Sequence, residues 1–359
     1  MKSPATLTDV AKAAGVAVGT ASRVLNNFTD VSAESRQRVL EAVSRLRYQP
    51  LRKHAKEAGR GRGSVQAANI GLVLLGMDDT LLHVPVLTEM LHGIEAAVAQ
   101  HRGNLLLANL PTADRVPAFL EGRQVEGVIL KSSQYGTLAD LEPTPLFRQL
   151  QRFPLVWTWA RPEGAPGDLC SFNHETVARL VAGHLQQRGH RRVAYLNPKR
   201  GKSSLEHIGK EFAFACSQRD LELTVLESAS PRATASPEPA LGHHEELLPL
   251  VDQWLALAAG RRPTALFLPA DNIVAHLYVA LENRGVRVGR DVSVISCNHE
   301  KSSVQALQPS LATVDVGAQR IGAQAVEQLL WRLRNPGDDS VRTILFEPTL
   351  VDGGSVRAL

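Results

Sequence analysis

Val18, Gly19, Ser22, Arg23 and Asn26 recur at a spacing that puts them on one side of a short helix, with Ala21, Val24 and Leu25 on the other. That pattern turns the first set outward and the second toward a core. An outward arginine can donate two parallel hydrogen bonds to guanine O6 and N7, and an outward valine can touch a thymine methyl. Gly19 reads nothing itself but lets a helix approach a surface closely. Other reactive groupings carry less. Gly201-Lys202-Ser203 has the tail of a phosphate loop, but Leu196 stands where the leading glycine is required. His243-His244-Glu245-Glu246 lacks a third ligand at metal spacing and reads as a solvated run. No Ser-His-Asp or paired-carboxylate arrangement is identifiable, so no catalytic residue, metal or cofactor is expected, and the chain reads as no enzyme.

Three short helices must position the outward face. Thr6-Leu7-Thr8-Asp9 has the form of a capping box, with Thr6 as N-cap, and Gly15 supplies a left-handed stop. After the turn Gly15-Val16-Ala17, a second helix runs from about Val18 to Asn26. A third opens at Val31-Ser32, buries Val39, Ala42, Val43 and Leu46, and ends before Tyr48-Gln49-Pro50. This is a helix-turn-helix unit whose second helix fits a major groove.

Charge points the same way. Met1 to Gly63 holds twelve Lys/Arg against five Asp/Glu, while the whole chain of 359 residues carries only +4. A basic head on a slightly acidic body suggests a polyanionic partner for the head. Cys170, Cys216 and Cys297 are odd in number and lack a CxxC pair, which fits small core residues in a reducing compartment. The N-terminus has no apolar h-region and no apolar run reaches ~18 residues, so a cytoplasmic protein without membrane contact is expected.

The string Thr6-Leu7-Thr8-Asp9-Val10-Ala11, Ala14-Gly15-Val16, Thr20-Ala21-Ser22-Arg23-Val24-Leu25-Asn26, Val31-Ser32, Arg36, Val39 and Tyr48-Gln49-Pro50 resembles the headpiece of the lactose-repressor (LacI) family. The resemblance implies that Val18 and Gly19 occupy the base-reading positions and that Arg23 also enters the groove. It implies further that Thr6, Ser22, Asn26, Ser32 and Tyr48 touch phosphates or the groove wall. Ala17 departs from the usual serine, whose loss as a cap costs ~1 kcal/mol.

From Leu51 to Gln66 the chain is basic and glycine-rich, marking a linker. In the family this stretch wedges a leucine into the minor groove. Here Glu57 or Ala58 falls at that position, so Arg52, Lys53, Lys56, Arg60 and Arg62 are expected to contact the backbone without a strong kink.

The rest alternates apolar runs with amphipathic stretches. Ile70 to Leu75, a helix through Val86, Met90 and Ile94, Asn104 to Ala108, Gly127 to Leu130 and Leu155 to Trp157 give a βαβα order, which resumes after Asp168. That order predicts parallel sheets covered by helices on both faces. Gly93-Ile94-Glu95, Val125 to Leu130, Gly189 to Ala194, Asp291 to Ile295 and Pro309 to Val314 again resemble the family. The expected whole is an all-α helix-turn-helix headpiece (1–50), a hinge (51–66) and an α/β periplasmic-binding-protein-like body (67–359) with two doubly wound parallel-sheet subdomains. The first is expected at 67–167 and 316–337, the second at 168–315 and 338–359, with the strand Arg342 to Leu350 in the second.

Sugar-binding relatives use an arginine, an Asn-Asp step and a Gly-aromatic-Asp turn. Here these become His207 or Ile208, Ala270-Asp271 and Ser296-Cys297-Asn298, so the sugar code is mostly absent. Asp271 and Asn298 remain as expected effector contacts, with His207, Phe172 and Trp157 lining a pocket. The resemblance implies a homodimer on a double-stranded DNA operator, regulated by a small molecule. A small-molecule carrier or a sugar-processing enzyme could share the body fold, but neither accounts for the basic head.

Overall fold

A computed structural model describes residues 6–25, 31–46, 68–76, 84–132, 138–201, 203–228 and 244–359. The chain divides into two compact units, Met1–Ser64 and Val65–Leu359. In the first, α1 (Leu7–Ala14) opens on the expected capping box: the Asp9 amide donates to Thr6 Oγ1 at 3.3 Å, and the Thr6 amide donates to Asp9 Oδ2 at 2.8 Å. Those bonds from Thr6 hold the Asp9 carboxyl below its ordinary range. Gly15 closes α1 with φ 64°, a left-handed conformation that costs glycine little. The next helix is α2 (Val18–Leu25), and α3 (Ala33–Leu46) starts after Ser32, whose Oγ accepts from the Ser35 amide at 3.3 Å. Val10, Ala11, Ala14, Ala21, Val24, Val39 and Ala42 form the buried centre of the three helices.

The body begins with β1 (Asn69–Leu75), α4 (Pro85–Gln100), β2 (Asn104–Leu110), α5 (Ala118–Glu121), β3 (Gly127–Ser132), α6 (Leu138–Leu141), α7 (Pro145–Leu150), β4 (Leu155–Thr158) and β5 (Asp168–Phe172). It continues with α8 (His174–Gln187), β6 (Arg192–Asn197), α9 (Ser203–Ser217), β7 (Glu222–Glu227), α10 (His244–Ala256), β8 (Ala265–Leu268), α11 (Val274–Glu282), β9 (Ser293–Cys297), α12 (Lys301–Val304) and β10 (Ala312–Asp315). The last elements are α13 (Ala318–Arg334), β11 (Thr343–Phe346) and β12 (Thr349–Val351). Two six-stranded sheets result, ordered β11-β5-β4-β3-β1-β2 and β12-β10-β9-β8-β6-β7. Every pairing is parallel except that of β12 with β10. Near-continuous apolar runs such as Ile70 to Leu75 are what strands buried on both faces require.

Two boundaries differ from the sequence reading. Residues 168–172 form β5 of the first sheet, so the first crossing comes after Phe172 and not at Asp168. The segment expected to return whole to the second subdomain is split: β11 pairs parallel with β5 in the first sheet, and only β12 joins the second. The reason is a buried anchor. Asp168 accepts from the Arg342 amide and from Arg332 on α13, which fastens the start of β11 beside β5.

Where α13 crosses α4, glycine permits backbone contact. A Cβ built on Gly322 would lie 2.1 Å from the Met90 carbonyl oxygen, and one on Gly93 1.9 Å from that of Gln319. Neither obstruction is a side chain that can swing away, so the helices must separate to admit a methyl. Gly322→Ala is expected to cost ~1–3 kcal/mol and to lower the Tm by several degrees in a thermal melt. An unchanged Tm would show that the two helices have room to part.

Candidate nucleic-acid interface and effector cleft

The headpiece presents α2 as a half-exposed cylinder. Ala21 and Val24 are buried, Val18 is 44% exposed and Arg23 is exposed. An added Cβ on Gly19 would meet nothing within 4 Å, so this face is open. Val18, Gly19, Ser22 and Arg23 therefore form one accessible strip, backed by α1 and α3. Arg45 Nη2 donates to the Ala13 carbonyl at 3.3 Å and ties α3 to the end of α1. The first bond of α2 runs from the Ala21 amide to the Ala17 carbonyl at 3.0 Å, so Ala17 is the N-cap and offers no side-chain oxygen. Thr6 and Ser32 are exposed at the starts of α1 and α3. Asn26, Tyr48, Arg52, Lys53, Glu57 and Ala58 lie outside the described residues.

In the body, Phe172, Asp271 and Asn298 stand at or just after the carboxyl ends of strands, His207 stands on α9, and two of the expected effector contacts are corrected. Phe172, ending β5, is buried, and its ring lies 4.2 Å from that of His174. His174 in turn meets His207 of α9 edge-on at 5.0 Å, and Trp159 meets Phe172 edge-on at 6.2 Å. Burial, aided by the charge of His207, pushes His174 down to about 4, so its ring is neutral near pH 7. Trp157, expected to line a pocket, does not: it is 0% exposed in the core of the first subdomain, its Nε1 donating to the Pro166 carbonyl at 2.7 Å. The tryptophan beside the rings is Trp159, just past β4, with φ 68°.

Asp271 is also corrected in role. It is 0% exposed, accepts from Thr313 Oγ1 at 2.9 and 3.1 Å, and takes the Glu300 amide at 2.9 Å. Its carboxylate braces the turn after β9 and has no free side for a ligand. Asn298 stands in that turn at φ 110°, its amide donating to the Val314 carbonyl and its Nδ2 to Glu300 Oε1 at 3.2 Å. Among the described residues no group of three His, Cys, Asp or Glu could hold a metal, and no helix is long and apolar enough to cross a membrane.

The profile of bacterial regulatory proteins of the lacI family matches residues 6–50, and that of the periplasmic binding protein-like domain matches 182–356. The chain belongs to the LacI family. A repressor named PurR from Mannheimia succiniciproducens is 28% identical across 99% of both chains, and the ribose operon repressor of Haemophilus influenzae is 26% identical across 99% of both. The fold is also that of the lac repressor dimer bound to operator and the anti-inducer ONPF, with a TM-score of 0.65 at 21% identity, covering 99% of this chain and all of that one. A CelR–cellobiose complex gives 0.63 at 22% identity, over 98% of this chain and 99% of that one. As a LacI-family member the chain is a DNA-binding transcription regulator.

Three residues of the LacI-type body escaped sequence reading. His174 and Trp159 were hidden because β5 was not anticipated, although Asn173 before His174 is the helix N-cap, its side chain accepting from the Thr176 amide at 3.3 Å. Glu300 gave no local signal at all. Its interest lies in being a carboxylate only 2% exposed.

Proposed function

We propose that this regulator is a cytoplasmic repressor that binds a near-palindromic operator as a homodimer, with residues 1–50 on DNA, 51–66 as hinge and the body as sensor. The observation that carries the proposal is the open strip Val18, Gly19, Ser22 and Arg23 on a helix fixed by two capped neighbours. Rigid presentation of a few side chains is what base readout demands, and one short helix reads too few bases to find a site in a genome. Two copies related by a two-fold axis meet that need.

The body is proposed to bind a small molecule at the carboxyl ends of its strands, where doubly wound folds place ligands. Asn298, His207, Phe172 and the added pair His174 and Trp159 are the proposed contacts. Rings dominate this set and the paired carboxyl and amide groups that grip sugar hydroxyls are missing, which favours a flat ring system over a typical sugar.

The test is selection of bound sequences from a random duplex pool by the full chain. The expected outcome is enrichment of an inverted repeat, with affinity then altered by a ligand found in a thermal-shift screen of nucleobases, nucleosides and sugars. Recovery of no common sequence at moderate salt would sink the operator reading, and a stabilising ligand without DNA binding would favour a carrier.

A further inference from the structure

The two halves of the body meet where the turn after β9 reaches the first turn of α4. On one side stands Glu300, whose Oε1 accepts from Asn298 Nδ2 and whose amide donates to Asp271. Its Oε2 is buried and has no regular hydrogen-bond partner. On the other side is the start of α4, against which α12 packs, and no side chain caps that start, since Val84 stands at the N-cap. The hydrogen bonds to these two carboxylates come from neutral groups: the Thr313 hydroxyl, the Asn298 side-chain amide and the Glu300 N–H. We propose that closing the contact between this turn and α4 takes up a proton on Glu300, so that the neutral acid holds the two subdomains together and its ionisation drives them apart.

A carboxylate moved from water into a buried interface without a cation either protonates or stays out, because the loss of hydration is not recovered. Burial, reinforced by the charge of Asp271, pushes Glu300 up to about 8, against the pull of the Asn298, Val86 and Ser303 donors. Burial pushes Asp271 up to about 6 in spite of its bonds. Around the pair stand His299 and Cys297 in the same turn, the thiol raised by burial and by both carboxylates, Lys301 exposed at the start of α12, and Asp315 at the end of β10. The first turn of α4, Pro85 to Thr88, has no charged side chain, and Glu89 opens the second.

The sign follows from linkage. In an opened, hydrated contact Glu300 returns toward its ordinary value near 4.5, so between there and about 8 the closed form binds the extra proton. Closure is favoured as pH falls through that window and weakened as it rises, with little further change above it. Asp271 acts in the same direction but is spent above about 6.

Hydrogen exchange on the full chain, read by mass spectrometry in peptides covering 84–91 and 298–304 and corrected for intrinsic rates, tests this between pH 6.5 and 8. In the wild type, opening should rise by roughly five- to tenfold per pH unit, while peptides from β6 and β8 stay flat. Glu300→Gln keeps the shape but cannot ionise. It should flatten the profile and be the better protected form at pH 8. A glutamine variant less protected than wild type at pH 8 overturns the proposal, because a fixed structural carboxylate would give that result. So does a wild-type profile independent of pH, a result that needs no variant to fold. These readouts concern the body alone, so their failure is distinguishable from failure of the operator and effector reading.

Discussion

Asp168→Ala is expected to cost the body about 3–5 kcal/mol in urea denaturation at pH 7, because it takes the near carboxylate from a mostly buried guanidinium and leaves it only Asp338, at 3.8 Å. The Asp168 side chain is fully buried. Arg332 donates to it from Nη2 at 2.5 Å and from Nε at 3.1 Å, Gln328 Nε2 donates at 2.7 Å, and the Arg342 amide at 2.9 Å. Through this one carboxylate β5, α13 and the approach to β11 are joined. Burial opposes the charge, but the bonds from Arg332, Gln328 and the Arg342 amide outweigh it and hold the carboxyl below its ordinary range. A depressed carboxyl contributes stability that is complete above about 4 and disappears as pH falls through the folded-state value. The gap between wild type and variant should therefore narrow in acid, most visibly below pH 4. Asp168→Asn keeps acceptor capacity and should lose less than alanine. A loss under ~1 kcal/mol for alanine would mean that Arg332 is satisfied by the Asp338 and Ser340 carbonyls it already reaches.

In the headpiece, Arg23→Ala should remove ~1–3 kcal/mol of discrimination at one base pair per half-site, a factor of about 5 to 150, with the fold unchanged. Arg23 is exposed and the core of α2 is Ala21 and Val24, so the substitution leaves the buried packing of the helix in place. What it loses is the capacity for two parallel bonds to one guanine. Repeating the duplex selection with wild type and variant reads this directly, as a relaxed preference at a symmetric pair of positions. Preference retained at every position would remove Arg23 from the groove and place it on the phosphates, where its loss would instead weaken all sequences alike and flatten the salt dependence.

The headpiece was legible from sequence almost to the residue. Thr6 with Asp9, Gly15, and Ser32 act within three or four positions of themselves, so caps and turns need no knowledge of the rest of the chain. The alternation of strands and helices in the body was legible for a similar reason: burial on both faces demands continuous apolar runs, and a covering helix demands a 3.6-residue repeat. Sequence order did not decide which sheet receives a short edge strand. Thr343 to Phe346 is half-exposed and weakly patterned, and its place beside β5 depends on Asp168, some 174 positions away in the chain, accepting the Arg342 amide. The roles of Trp157, Asp271 and Glu300 were decided in the same way. A tryptophan near a strand end, or an acid near a turn, is equally consistent with a pocket and with a core. Only when β4, β9 and β10 are assembled does Trp157 fall among apolar side chains, Asp271 beneath Thr313, and Glu300 against the start of α4. Hydration, which fixes what a polar or aromatic group costs or gains, depends on every neighbour at once, and that quantity exists only in the folded chain.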